Sequence, residues 1–214
     1  VRTERTDGRL ARGRRTREVV LDAAIARASV DGLAGLSLGQ LADSLGVSKS
    51  GLFSHWPDKE ALQLAAIDHA RAQWTDLISR PAVRAPRGVR RLFALHEARL
   101  SFYASEILPG GCFFHAVQAD FDDKPGPVNT RIAEAKSDWL AFIASLAAKA
   151  VELGELRADT DPEQLAFEIE ALGQCVIAHS RLVDDDSAYT RSRLAVLHRL
   201  RELATDPSIL PEEQ

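Results

Sequence analysis

Methionine is absent from this 214-residue chain, and cysteine occurs only at Cys112 and Cys175. Two thiols cannot supply a disulfide framework or a four-ligand zinc site, so stability must come from packing. The six histidines include no His-x-x-His or His-x-x-x-His pair, and neither a metal nor a cofactor is expected. Nowhere do ~18 apolar residues run together. The start, Val1-Arg2-Thr3-Glu4-Arg5, has no apolar segment behind it, so neither a membrane span nor a signal peptide is expected and the cytoplasm is the expected location. A glycine-rich phosphate loop and a cluster of metal ligands are missing as well. No catalytic residue is assigned, and the chain is not expected to be an enzyme. Strict apolar–polar alternation is scarce, which leaves little room for sheet.

What the chain has is charge, unevenly placed. The net value of −4 divides into +5 over residues 1–17, where seven arginines face Glu4 and Asp7, and −9 over the other 197 residues. This asymmetry reads either as a basic arm (1–15) on an acidic body or as a solvated, disordered tail. Only the arm would suit nucleic acid, because affinity for a phosphate backbone rests on neutralising its charge.

Apolar residues recur at helical spacing nearly throughout, which predicts an all-α fold. The first helix is expected from Thr16 to Asp31, burying Val19, Val20, Ala23, Ala24 and Ala28. A second runs from a Ser37 cap to Gly46 with Leu38, Leu41, Ala42 and Leu45 inward, and a third from Ser48 to about His55, closed by Trp56-Pro57. Asp58 caps a fourth that reaches about Ser79. Two prolines in Arg80-Pro81-Ala82-Val83-Arg84-Ala85-Pro86 imply a linker, which separates a domain over 16–80 from one over 87–205. Helices in the latter are expected at 87–105, 112–121, 128–153, 161–183 and 187–204, with a frayed tail at 206–214. Inside the first domain, Ala42, Gly46 and Leu52 stand four and then six residues apart. A small residue at the close approach, a left-handed turn and an apolar residue that packs the next helix back are what a helix-turn-helix requires.

The stretch Leu38-Gly39-Gln40-Leu41-Ala42-Asp43-Ser44-Leu45-Gly46-Val47-Ser48-Lys49-Ser50-Gly51-Leu52-Phe53-Ser54-His55-Trp56-Pro57-Asp58-Lys59-Glu60-Ala61-Leu62 resembles the DNA-binding signature of the TetR family of transcriptional repressors. That resemblance implies a three-helix DNA-binding domain followed by a helical ligand-binding and dimerisation domain. It implies a homodimer on a palindromic double-stranded operator, released when a small molecule binds. On the matching positions, Ser37 and Lys59 would meet phosphates, and Ser48, Lys49, Ser50, Gly51, Phe53, Ser54 and His55 would form the recognition helix. Phe53 stands where the family most often has tyrosine, and Ser54 and His55 replace the commoner histidine and tyrosine, which leaves the operator sequence unread. Lys49 suits guanine O6 or N7 and Ser50 several bases, although Lys49 also reads as a solvated surface lysine. His55 reads equally as a DNA contact or as a cap with a packing role, and Trp56 as hinge packing. Arg14, Arg15 and Thr16 belong to the arm side of the same interface, reaching flanking phosphates or the minor groove.

Residues 87–183 concentrate aromatic side chains, which line either a packed core or an apolar effector cavity oriented by sparse polar groups. The candidate effector residues are Phe93, His96, Phe102, Tyr103, Cys112, Phe113, His115, Trp139, Phe142 and Gln174. Cys112 reads as a buried thiol or, after Gly110-Gly111, as a helix-terminal sensor. Leu165, Ile169, Leu172 and Val176, with Ala195, Leu197, Leu200 and Leu203, are stripes on the last two helices that serve a homodimer interface or packing within one subunit. The expected function is a ligand-responsive DNA-binding regulator, a repressor released by an apolar or amphipathic effector. The alternative is a helical protein-interaction module without DNA binding.

Overall fold

In the computed structural model the described residues are 2–183 and 185–213, with side chains described for all of these except 2–12 and 14. Among them there is no strand, only an isolated bridge between Leu156 and Ala204. Among the described residues no helix is long and apolar enough to cross a membrane. The chain forms two compact units, Val1–Ala72 with Leu108–Ile132, and Gln73–Ile107 with Ala133–Gln214.

In the first unit, α1 spans Arg2–Asp31, so the helix does not begin at Thr16. The arginines, alanine and leucine of its first half are good helix formers, and Gly8 and Gly13 cost only about 1 kcal/mol each against alanine. Its buried side is Val20, Leu21, Ala24, Ile25 and Ala28, whereas Val19, expected inside, is 49% exposed. Gly32 ends it at φ +70, its N–H donating to the Ala28 carbonyl at 2.9 Å. The short α2 (Leu38–Leu45) and α3 (Lys49–His55) follow, then α4 (Lys59–Trp74). The unit is completed by α7 (Phe113–Phe121), packed on α1, and the opening turns of α8 (Pro127–Glu152).

The second unit takes the chain up at Gln73. Where a linker was expected, the helix continues through a π turn at Thr75–Ser79 into α5 (Arg80–Ala82). Pro81, which has no N–H to give to the preceding turn, directly follows the π turn, where the regular α-helical bonding is already interrupted. Only 83–88 are irregular, and Gly88, at φ +96, leads into α6 (Val89–Ala104). Next come the remainder of α8, then α9 (Pro162–Leu182) and α10 (Ser187–Leu203). Leu165, Ile169, Val176, Leu197, Leu200 and Leu203 are all buried within the unit, where α9, α10 and α6 pack together. The tail, expected to fray, makes local contacts. Asp206 caps a turn at Pro207–Ile209, Leu210 is buried, and Arg201 Nη1 meets Glu213 at 3.0 Å.

Candidate functional site

The turn between α2 and α3 is built as its spacing demands. Ser37 Oγ accepts from the Gln40 N–H at 3.5 Å, and Gly46, at φ +64, sends its N–H to the Ala42 and Asp43 carbonyls. Ser48 Oγ then accepts from Gly51 N at 3.1 Å and starts α3. Leu38, Leu41, Ala42 and Leu52 are buried, so each short helix spends its apolar side on the other and on the rest of the unit. Gly35-Leu36-Ser37-Leu38-Gly39 also carries the Gly-x-Ser-x-Gly spacing of a hydrolase nucleophile elbow. That motif needs a strand running into its serine, whereas Ser37 follows a loop and caps a helix.

The opposite side of α3 faces outward. Lys49, Ser50, Ser54 and His55 are exposed, Gly51 is half-buried, and Phe53 is 47% exposed. Ser54 bends back, its hydroxyl donating to the Gly51 carbonyl at 2.6 Å. Lys49 Nζ lies 3.3 Å from Asp43 Oδ2, in a pair with both side chains largely in water, and such a pair is weak and readily exchanged. Lys59 is exposed, with Nζ donating to the Ala34 carbonyl at 2.6 Å, which leaves ammonium protons for a phosphate. Arg15 and Thr16 are exposed on α1, and the Arg14 side chain lies outside the described residues. Trp56 is buried, with the Arg17 guanidinium 5.3 Å above its ring and the His55 ring 5.6 Å away. It packs rather than presenting itself to a base. The arrangement is a rigid helix face offering one ammonium, hydroxyls and an apolar ring to the outside, flanked by the capped start of α2.

The ten candidate effector residues fall into two sets. Cys112, Phe113 and His115 belong to the first unit. Cys112 is buried and caps α7, its Sγ accepting from His115 N at 3.4 Å, and Phe113 meets Phe114 edge-on at 5.2 Å. Phe93, His96, Phe102, Tyr103, Trp139, Phe142 and Gln174 belong to the second unit, where three of them surround charges that the sequence reading missed. Arg99, 1% exposed, pairs with Glu170 at 2.8 Å, and its Nε donates to Tyr103 Oη at 2.7 Å. Glu170 also accepts from Lys136, from Trp139 Nε1 at 2.8 Å and from Gln174 Nε2 at 2.8 Å. The rings of Trp74, Tyr103 and Trp139 stand 5.4–5.9 Å from the Arg99 guanidinium. Burial alone would raise the Glu170 pKa, but Arg99, Lys136 and the Trp139 N–H hold it below the usual carboxylate value. His96 is fully buried, its Nε2 3.2 Å from a Ser192 hydroxyl that donates to the Leu172 carbonyl. Burial, reinforced by Arg99, pushes its pKa down to about 3, so the ring is neutral. Phe93 packs under the Arg193 guanidinium at 5.3 Å, and Phe142 stands 6.1 Å from Trp139. One signal for this cluster was available in the sequence, a lone arginine and a lone glutamate on otherwise apolar helix faces. Two surface clefts of about 550 and 580 Å³ are lined by none of the ten.

Residues 20–66 match the family model described as bacterial regulatory proteins, tetR family, and residues 88–196 match the tetracyclin repressor-like C-terminal domain. No curated protein matches the chain. Among solved structures, a TetR transcriptional regulator from Chloroflexus aurantiacus superposes with a TM-score of 0.83 at 23% identity, covering 91% of this chain and 98% of its own. A TetR-family regulator from Cytophaga hutchinsonii gives 0.79 at 20% identity, with the same coverage of 91% and 98%. AibR, solved with isovaleryl coenzyme A and operator DNA, gives 0.67 at 17% identity over 87% of this chain and 96% of its own. The two family models together span most of the chain from the first buried turn of α1 into α10, and the chain belongs to the TetR family of bacterial transcriptional regulators.

Proposed function

We propose that the protein is a repressor that binds a palindromic operator as a homodimer and lets go when a small amphipathic molecule occupies its second unit. The observation that carries the DNA contact is the division of α3. Leu52 holds it from one side, while Lys49, Ser50, Phe53, Ser54 and His55 stand in solvent on the other. Lys49 supplies a base contact, Ser37 and Lys59 phosphate contacts, and Phe53 an apolar contact to a sugar or a thymine methyl. Arg15 and Thr16 extend the interface along α1, and the Arg14 backbone lies on the same helix.

Two half-sites of a palindrome require two copies of α3. Support for the dimer comes from α9, whose outward side carries Phe167 at 63% and Leu182 at 86% exposure, with Ala171, Cys175 and Ala178 exposed between them. For the effector, the support is the second unit's Arg99–Glu170–Lys136 cluster walled by Trp74, Tyr103 and Trp139. Two cations against one carboxylate beside indole rings suit an amphipathic molecule with an anionic end. The AibR complex, with an acyl coenzyme A and operator DNA, is a precedent for that pairing of ligands on this fold.

Selection of duplexes from a randomised library, followed by gel shift with Lys49→Ala, tests the reading. The variant is expected to lose about tenfold or more in affinity and to relax its preference at one base position of each half-site. Wild-type affinity and preference in Lys49→Ala would remove Lys49 from the interface, and failure to enrich any duplex would remove DNA binding.

A further inference from the structure

The loop between α1 and α2 delivers Ser37 to the candidate DNA face, and its residue Ala34 is held through both of its backbone polar groups. The Ala34 N–H donates to Asp120 Oδ2 on α7 at 3.2 Å, while the Ala34 carbonyl accepts from Lys59 Nζ at 2.6 Å. The preceding carbonyl, of Leu33, accepts from the buried Gln63 amide at 2.8 Å. Leu33 and Leu36 are themselves buried, so the loop has little freedom between the end of α1 and the Ser37 cap.

Asp120 reaches the Ala34 N–H because Gly32 has no side chain. A Cβ on Gly32 would lie 1.9 Å from Asp120 Oδ2, and its φ of +70 is glycine's own. The segment before α7 is fastened to α1 in the same manner. Gly110 N donates to Ser29 Oγ at 2.9 Å, and a Cβ on Gly110 would lie 1.7 Å from the Ser29 carbonyl oxygen. Two side-chain-free positions thus let α7 and its leading loop touch α1 and the α1–α2 loop directly, and from α7 the carboxylate of Asp120 bonds the loop carrying Ser37.

We propose that Asp120 is a positioning residue for DNA recognition. By accepting the Ala34 N–H, its carboxylate fixes the height at which Ser37 and the first turn of α2 meet a phosphate, without touching DNA itself. Gln63 holds the carbonyl end of that same Leu33–Ala34 peptide and Lys59 holds the next one through the Ala34 carbonyl, so the loop is fixed in orientation as well as in position. This rests on the reading of the Ser37–Lys59 surface as the DNA interface.

The test uses full-length protein, a duplex selected by the wild type, and three variants. Asp120→Ala is expected to bind about tenfold more weakly, the scale of one lost hydrogen bond to a charged group. Its salt dependence should stay at the wild-type slope, because no lysine or arginine that neutralises a phosphate is removed. Asp120→Asn keeps an oxygen acceptor at the same place and is expected within about threefold of wild type. Asp120→Glu keeps the charge but is too long for the seat that Gly32 provides, and is expected to resemble Asp120→Ala. Amide exchange at Ala34 is read alongside, and should quicken in the Ala and Glu variants and hold in the Asn variant. Wild-type affinity in Asp120→Ala, an Asn variant as weak as the Ala variant, or unchanged exchange at Ala34 would each overturn the proposal. Failure of the wild type to select any duplex would overturn the interface reading instead, and exchange at Ala34 would still decide whether Asp120 pins the loop.

Discussion

His96 and Gly173 carry consequences of burial that can be read in solution. The folded-state pKa of His96 is held at about 3 against 6.5 for an ordinary imidazole. Below pH 6.5 the unfolded chain takes up a proton that the folded chain refuses, so stability is full above that pH and falls on acidification. The slope is about 1.4 kcal/mol per pH unit while only the unfolded form is protonated. Between pH 6 and 5, before Glu170 begins to lose its own ion-pair stabilisation, urea midpoints should fall in the wild type. In His96→Gln, which can still donate to Ser192, that part of the slope should vanish. Gly173 lets the α9 backbone lie against Arg99, and a Cβ there would sit 2.3 Å from Nη1. Gly173→Ala therefore drives the guanidinium out of its place between Glu170 and the aromatic rings, at an expected cost of about 2 kcal/mol. In an Arg99→Ala background the same substitution should cost far less, since the group it collides with is gone. Equal costs in the two backgrounds would show that the collision is not what destabilises.

At the level of elements, α3 shows how much stability is local. Seven residues are too few for a free helix, so α3 depends on Leu52, on the Ser48 cap and on the left-handed turn at Gly46. Gly46→Ala should cost about 1 kcal/mol, with faster amide exchange in α3 before any change in the second unit. These features were legible in the sequence, because caps and turn glycines act through their immediate neighbours. The inward residues of α2 were legible too, except that Leu45 is only half-buried. Which side of α9 faces inward was less so. That helix carries one apolar stripe at Leu165, Ile169, Leu172 and Val176 and a second at Phe167, Ala171, Cys175, Ala178 and Leu182, and periodicity alone cannot rank two stripes on one helix. The structure turns the first stripe in, with Leu172 half-buried. Pro81 was read as a break because its neighbours suggest a turn, whereas the π turn before it, through which the helix runs on, is not marked in the sequence. The Arg99–Glu170 pair escaped for a different reason: its partners are 71 residues apart, and only the fold brings them together.

Taken as a whole molecule, the chain combines a net charge of −4 with +5 over residues 1–17, and DNA affinity should reflect that division. Deleting residues 1–15 is expected to weaken binding and flatten its dependence on salt, because phosphate neutralisation supplies that slope. An unchanged slope would mean that the arginines at the start of α1 do not reach the duplex. The subunit leaves one side of α9 open. Phe167 and Leu182 are 63% and 86% exposed in the single subunit, so replacing both with aspartate removes no packing from its core. If two copies join through that stripe, the double variant places four carboxylates in an apolar contact, where burying unpaired charge is prohibitive. The expected outcome is a monomer by sedimentation, with helical content unchanged. Affinity for a two-half-site duplex should fall by about 100-fold or more, because the second recognition helix is no longer held beside the first. Affinity for a single half-site should not change, since α3 and its caps are untouched. A double variant that still sediments as a dimer and binds the full site as the wild type does would place the dimer contact elsewhere on the second unit.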